Sequence, residues 1–163
     1  MRILGIDPGL QITGYAVVEP RPRGPHVCEA GIIKPSDGRS TTDLAPRLDS
    51  LYDGIVEIIE QFEPEAMCVE QLYSHYNHPR TAILMAHARG VIFLAAARNN
   101  IPVESYAATR IKKVITGHGR ASKSQMQHAI QRELGLPQLP DPTDMADALA
   151  IAHYHYYLSQ AAA

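Results

Sequence analysis

Residues 2–15, RILGIDPGLQITGY, restrict the fold of this chain more than any other stretch. An apolar run leads to a single carboxylate, Asp7, breaks at Pro8-Gly9 and restarts as ITGYAVVEP. That pattern predicts two antiparallel strands joined by a short turn, with Asp7 where the first strand ends. Desolvating an unpaired carboxylate costs several kcal/mol, so an acid at the tip of a central strand points to a bound cation. An Asp-Pro-Gly turn explains the same residues without one.

The rest of the chain supplies alternating strand and helix patterns. HVCEAGIIK (26–34) is a third strand, followed by the loop PSDGRSTTD. From Leu44 to Phe62 the apolar residues 44, 48, 51, 52, 55, 58, 59 and 62 form one helical stripe, with Thr42 and Asp43 as its cap region. Pro64 ends that helix, and AMCVEQ reads as a strand covered on both faces, its one charge being Glu70. A strand, a helix and a buried strand imply a right-handed crossover, which would set Glu70 beside Asp7 at the carboxyl edge of a sheet. After the loop LYSHYNHPR comes TAILMAHARGVIFLAAARNN, a helix apolar on nearly every side, which suits either a central core helix or a dimer contact. IPVESY is a fifth strand, and ATRIKKVIT is a short basic helix stopped by Gly117. Ser122 and Gln125 have capping-box spacing for a helix that ends at Gly135, and Asp141-Pro142 announces a last helix, TDMADALAIAHYHYYLSQ.

A chain of 163 residues can bury a single core without disulfides, and no internal repeat or linker divides it. One domain covering 1–163 is expected. Asp7 interrupts the first apolar run too early for a signal peptide, and no uncharged apolar run approaches the roughly 18 residues of a membrane span. A soluble, cytoplasmic protein is therefore expected. Cys28 and Cys68 lie in strand-like runs without CxxC spacing and read as reduced core residues. The net charge of −2 conceals a division: residues 78–132 carry nine Lys or Arg against Glu104 alone, or +8, and the remainder carries −10. This asymmetry predicts a polyanion-binding surface beside an acidic patch, although a solvated basic face has the same composition.

Asp144 and Asp147 stand i, i+3 on the last helix, so both project from one face of its first turns. Acids there also suit the helix dipole. Together with Asp7 and Glu70 they make four carboxylates with no neighbouring Lys or Arg in sequence. Such a set suits hard divalent ions, Mg²⁺ or Mn²⁺, and a pair of ions roughly 3.5 to 4 Å apart supports phosphodiester displacement.

ILGIDPGLQITGYAV, VEQLY, ARGV, YAATRIKKVITGHGRASKSQMQHAI and DMADALAIA, in this order and spacing, resemble the RuvC family of Holliday-junction resolvases over nearly the whole chain. The resemblance implies an α/β, ribonuclease H-like fold with a five-stranded mixed sheet flanked by helices. It implies catalytic metal ligands at Asp7, Glu70, Asp144 and Asp147, with Mg²⁺ (Mn²⁺ as a substitute) as cofactor and two ions per subunit. It implies DNA contacts at Tyr73, Lys112 and Lys123. The expected activity is paired nicking of four-way junction DNA by a homodimer, in recombination and repair, leaving 5′-phosphate and 3′-hydroxyl ends. The expected partner is a branch-migration motor, RuvA and RuvB. SHYNHPR after Tyr73 departs from the family pattern in its His and aromatic content, and Lys113 adds a base next to Lys112. His153 and His155 lie too far along the helix from Asp147 for both to share its metal, and packing or surface roles are expected. Three rival readings are a ribonuclease H-like RNA-processing nuclease, a binding-only module, and an actin-like sugar kinase or ATPase. The intact acidic quartet opposes the second, and the absence of a second phosphate hairpin the third.

Overall fold

Pro8 has no amide hydrogen with which to continue a strand ladder, and β1 (Ile3–Asp7) ends at the residue before it. The structure, a computed structural model, describes residues 1–34, 43–72 and 78–161. β2 (Thr13–Arg21) returns antiparallel to β1, pairing Asp7 with Gly14. The turn between them is tied by Thr13, a fully buried polar residue. Its hydroxyl donates to the Gly9 carbonyl at 2.6 Å and accepts from the Gly9 N–H at 3.2 Å.

β3 (Gly24–Ile33) pairs antiparallel with β2 and begins two residues before the expected position. α1 (Leu44–Phe62) then crosses over to β4 (Ala66–Glu70), which pairs parallel with β1 as the crossover requires. α2 (Pro79–Arg98) leads to β5 (Val103–Tyr106), parallel to β4, and the sheet order is β3-β2-β1-β4-β5. α3 (Ala108–Thr116), α4 (Lys123–Leu134) and α5 (Thr143–Ala161) complete the described chain. The expected capping box is present at α4: Gln125 N–H donates to the Ser122 hydroxyl at 3.1 Å, and Ser122 N–H donates to the Gln125 side-chain oxygen at 2.8 Å. Asp43 does occupy the cap position of α1 but makes no side-chain capping bond, and Thr42 lies outside the described residues.

The sheet separates two cores. Ile3, Ala16, Val18 and Cys68 face α3, α4 and α5, whereas Leu4, Ile6, Val17, Met67 and Val69 face α1 and α2. Cys68 is a buried free thiol as expected, but Cys28, on the edge strand β3, is only partly buried. The helix enclosed on most sides is α5, with seven buried residues from Ala146 to Tyr154, and not α2. α2 buries a single stripe of Ala88, Ile92, Ala95 and Ala96 and leaves Ile83 and Leu94 exposed. By length and composition α2 alone among the described helices could cross a membrane, yet here that stripe packs into the α1 core cluster. Four of the seven buried positions of α5 are alanine, whose small side chain suits a close approach to the sheet.

That approach is set by two glycines. A Cβ on Gly5 would fall 2.7 Å from the Ala152 nitrogen and 2.8 Å from its Cβ, and a Cβ on Gly14 would overlap the Asp144 carbonyl. α5 therefore rests backbone to backbone on β1 and β2, with its first turn over the pair Asp7 and Gly14.

Candidate active site

Strand alternation decides which way the acids point. Ile3 and Gly5 face α5, so Asp7, the next residue of the same parity, does too. Cys68 faces α5, and Glu70 follows it two residues on. The parallel register pairs Gly5 with Cys68 and Ile6 with Val69, and one further step along each strand sets Asp7 beside Glu70. α5 contributes Asp144 and Asp147 above them, at the height that Gly14 allows.

The electrostatics report this convergence. Asp7 is raised well above the ordinary carboxylate range, first by burial and then by the charges of Asp147, Glu70 and Asp144, with Lys123 opposing. Glu70 is raised by burial and by Asp147, against Lys112 and Lys123. Burial also raises Asp147, and Lys123 and Lys112 pull it back while Asp144 adds to the rise. The donor set is oxygen alone and its negative charge is under-compensated, which is the environment that a hard divalent cation satisfies and a soft, thiolate-preferring one does not. The residues present therefore fit Mg²⁺ or Mn²⁺.

Lys112 on α3 and Lys123 on α4 flank the acids from the remaining side, although at least 20 residues separate either from any of the four acids in sequence. A small recess lined by Glu70, Lys112, Met126, Asp147 and Ile151 marks where these elements meet. The largest cavity described, about 820 Å³, lies elsewhere, between α1 and β3, and is lined by Glu29, Asp49, Asp53 and Glu57. Its wall repels a polyanion and carries none of the quartet.

One other group of ligand-type side chains, Glu19, His26 and Cys28, comes together among the described residues. It lies at the amino end of β1, opposite Asp7, because Ile3 pairs with Val18 and Glu19 with His26. Both Glu19 oxygens are already engaged, by Arg21 at 2.6 Å and Arg2 at 3.2 Å. Those two guanidiniums hold the Glu19 carboxyl down at about 2, Arg21 contributing most. The arrangement is an ion-pair clasp, extended by the Arg2 bond to the Phe62 carbonyl at 2.8 Å.

The histidines of α5 pack, as expected. His155 shares a 2.6 Å hydrogen bond with the Tyr106 hydroxyl, and His153 lies over Tyr156 with Glu133 3.8 Å away. Burial lowers both imidazoles below their ordinary value. Tyr73 and His75 lie outside the described residues, while His78 holds the cap position of α2 without a side-chain capping bond.

Arg89 falls within the basic segment 78–132 by sequence, but the structure turns it away from that surface. Its guanidinium turns inward over the Phe93 ring at 4.3 Å and donates to the Ser105 hydroxyl at 2.8 Å and the Glu70 carbonyl at 3.3 Å. Gly5 and Gly14 also shape the site, and the sequence carries their signal: Gly5 stands two residues before Asp7, and Gly14 pairs with Asp7 across the hairpin.

Comparison with known proteins finds relatives over nearly the whole chain. A family model, crossover junction endodeoxyribonuclease RuvC, matches residues 3–155. The crossover junction endodeoxyribonuclease RuvC of Rhodopirellula baltica is 52% identical over 159 residues, covering 96% of this chain and 86% of that protein. The structure of Thermus thermophilus RuvC superposes with a TM-score of 0.86 at 29% identity, covering 99% of this chain and 97% of that one. The same protein in complex with Holliday junction substrate gives a TM-score of 0.86 at 28% identity, over 99% and 96% of the two chains.

Proposed function

This chain belongs to the RuvC family of crossover junction endodeoxyribonucleases and is a metal-dependent nuclease of ribonuclease H-like fold that resolves Holliday junctions; we propose that Asp7, Glu70, Asp144 and Asp147 are its catalytic residues. The observation that carries the assignment is the meeting of these four carboxylates at one sheet edge, with Lys112 and Lys123 beside them. The RNA-processing alternative is not favoured by the relatives.

The quartet would hold two Mg²⁺ ions, with Mn²⁺ as substitute, and when bound these stabilise charge on the attacking and leaving oxygens of an in-line phosphodiester displacement. Asp7 and Glu70 are fixed by the strand ladder and Asp144 and Asp147 by α5, so the acids keep their spacing without substrate. Lys112 and Lys123 draw the DNA backbone in and offset the repulsion between phosphate and carboxylates. Tyr73, three residues after Glu70, would stack on unpaired bases at the junction centre. The ends produced are a 5′-phosphate and a 3′-hydroxyl. A single domain of residues 1–163 acts as a homodimer with one site per subunit, in the cytoplasm, alongside a RuvA and RuvB motor.

The reading is tested by incubating the protein with a synthetic four-way junction, with Mg²⁺ or with a chelator. Symmetric cuts on two opposed strands that appear only with Mg²⁺ are expected. Preferential cutting of an RNA–DNA hybrid, or no cutting at all, would overturn it.

The two lysines make a separate prediction. Each phosphate neutralised releases counterions, so Lys112→Ala and Lys123→Ala should each flatten the fall of log K with log salt by roughly 1 unit. Junction-binding titrations over a salt series measure it, and unchanged slopes would remove the contact.

A further inference from the structure

We infer that Arg89 is a positioning residue for the active site, holding Glu70 by its backbone from the face of the sheet opposite α5. This rests on the assignment of Glu70 to the catalytic quartet.

The central part of α2 is apolar, and Arg89 is its one charged residue between Arg80 and Arg98. An arginine there would be expected to reach for solvent or for DNA. It is instead partly buried, and that desolvation lowers its pKa. Three contacts occupy it. Nε donates to the Glu70 carbonyl at 3.3 Å, one terminal nitrogen donates to the Ser105 hydroxyl at 2.8 Å, and the Phe93 ring lies 4.3 Å beneath the guanidinium carbon.

The parity of the strands explains why this matters for chemistry. The Glu70 carboxylate points toward α5 and the other acids, so nothing on that face can hold its backbone without crowding the site. Ser105 lies on the α2 face of the neighbouring strand, one register step before the pair Glu70 and Tyr106. Arg89 thus bridges the last residue of β4 to β5 just where the ladder runs out, with Gln71 N–H donating to the Tyr106 carbonyl at 2.8 Å beyond it. A small recess lined by Pro8, Glu70, Gln71, Leu72, Met85 and Arg89 adjoins this point. The planar fork supplies both donors at once, which a lysine ammonium at the same place does not reproduce. Arg89 does not act on the Glu70 carboxyl through charge, since the cations that lower it are Lys112 and Lys123.

The experiment uses the full chain with Arg89→Met, Arg89→Lys and Ser105→Ala. Three quantities are read: Mn²⁺ affinity of the free protein by calorimetry, the Mg²⁺ concentration for half-maximal junction cutting, and junction affinity without metal. Partners that orient a metal ligand from outside are worth about 10 to 100-fold in metal affinity. Arg89→Met should weaken Mn²⁺ binding and raise the Mg²⁺ midpoint by about 10-fold or more. Ser105→Ala should shift both in the same direction by less, Arg89→Lys should fall between, and metal-free junction affinity should stay within about twofold of wild type. If Arg89→Met fails to fold, Ser105→Ala and Arg89→Lys alone decide, since each leaves the helix core intact. Unchanged Mn²⁺ affinity in the folded variants overturns the inference, as does a loss of metal-free junction affinity with an unchanged midpoint, which would make Arg89 a DNA contact. A wild-type protein that binds Mn²⁺ but cuts no junction would instead count against the nuclease reading, leaving the Mn²⁺ comparison to judge Arg89.

Discussion

Asp7→Asn and Asp144→Asn should each lower junction cutting in Mg²⁺ by on the order of 1000-fold or more, the scale of losing one preorganised electrostatic group from a catalytic site, while binding the junction without metal as tightly as wild type or more so. The two effects run in opposite directions because these acids help DNA only through the ions they hold. On that assignment, four converging carboxylates without metal would face the scissile phosphate and repel it. A third readout separates this role from a structural one. Asp7, Glu70 and Asp147 are all raised above their ordinary values in the fold, so the metal-free folded state retains protons that the unfolded chain has released. Stability from these groups is therefore fully present below the ordinary carboxylate range, about pH 4, and is lost as pH rises through the raised folded values. Asp7→Asn removes the group that all three other acids push upward. The metal-free variant should melt higher than wild type at neutral pH, by about 2 to 4 °C for each kcal/mol of repulsion relieved, and the gap should narrow toward pH 5. Adding Mg²⁺ should raise the wild-type melting temperature and hardly move that of the variant. If the acids served only to stabilise elements, both variants would melt lower and lose binding and cutting together.

Gly14→Ala should reduce cutting by about 100-fold, the cost of roughly 1 Å of misplacement in a catalytic group, although Gly14 carries no chemistry of its own. Its added methyl would overlap the Asp144 carbonyl and lie 3.1 Å from the Met145 nitrogen. Backbone atoms cannot swing aside as a side chain does, so the first turn of α5 must lift from the sheet. Asp144 and Asp147 move with it, and Asp7 and Glu70 stay behind on β1 and β4. Overpacking of this kind costs about 1 to 3 kcal/mol, a loss the folded protein can survive. The expected signature is a folded variant with near-wild-type metal-free junction binding, weakened Mg²⁺ dependence and slow cutting. Wild-type cutting by a folded Gly14→Ala would show that the seating of α5 does not set the geometry of the acids.

Much of this architecture is written in local pattern. The break at Pro8-Gly9 fixes the end of β1, the stripe from Leu44 to Phe62 fixes α1, and Ser122 with Gln125 fixes the start of α4, because each depends on residues within one or two turns of one another. The four acids were legible for a related reason. Each stands alone or at i, i+3 in an apolar setting where an unpaired charge needs an explanation, and the parallel crossover places two of them on adjacent strand ends. Which helix is central was not legible. Hydrophobicity favours α2, but burial depends on how close a helix can come to the sheet, and Gly5 and Gly14 give that closeness to α5. The direction of a charge was not legible either. Arg89 adds to the basic segment in any count along the chain, yet only the packing of α2 against the ends of β4 and β5 turns it inward to Glu70 and Ser105 while Lys112 and Lys123 remain beside the acids. Sequence pattern determines what each segment can bury, and the contacts between segments decide where its polar groups are left to point.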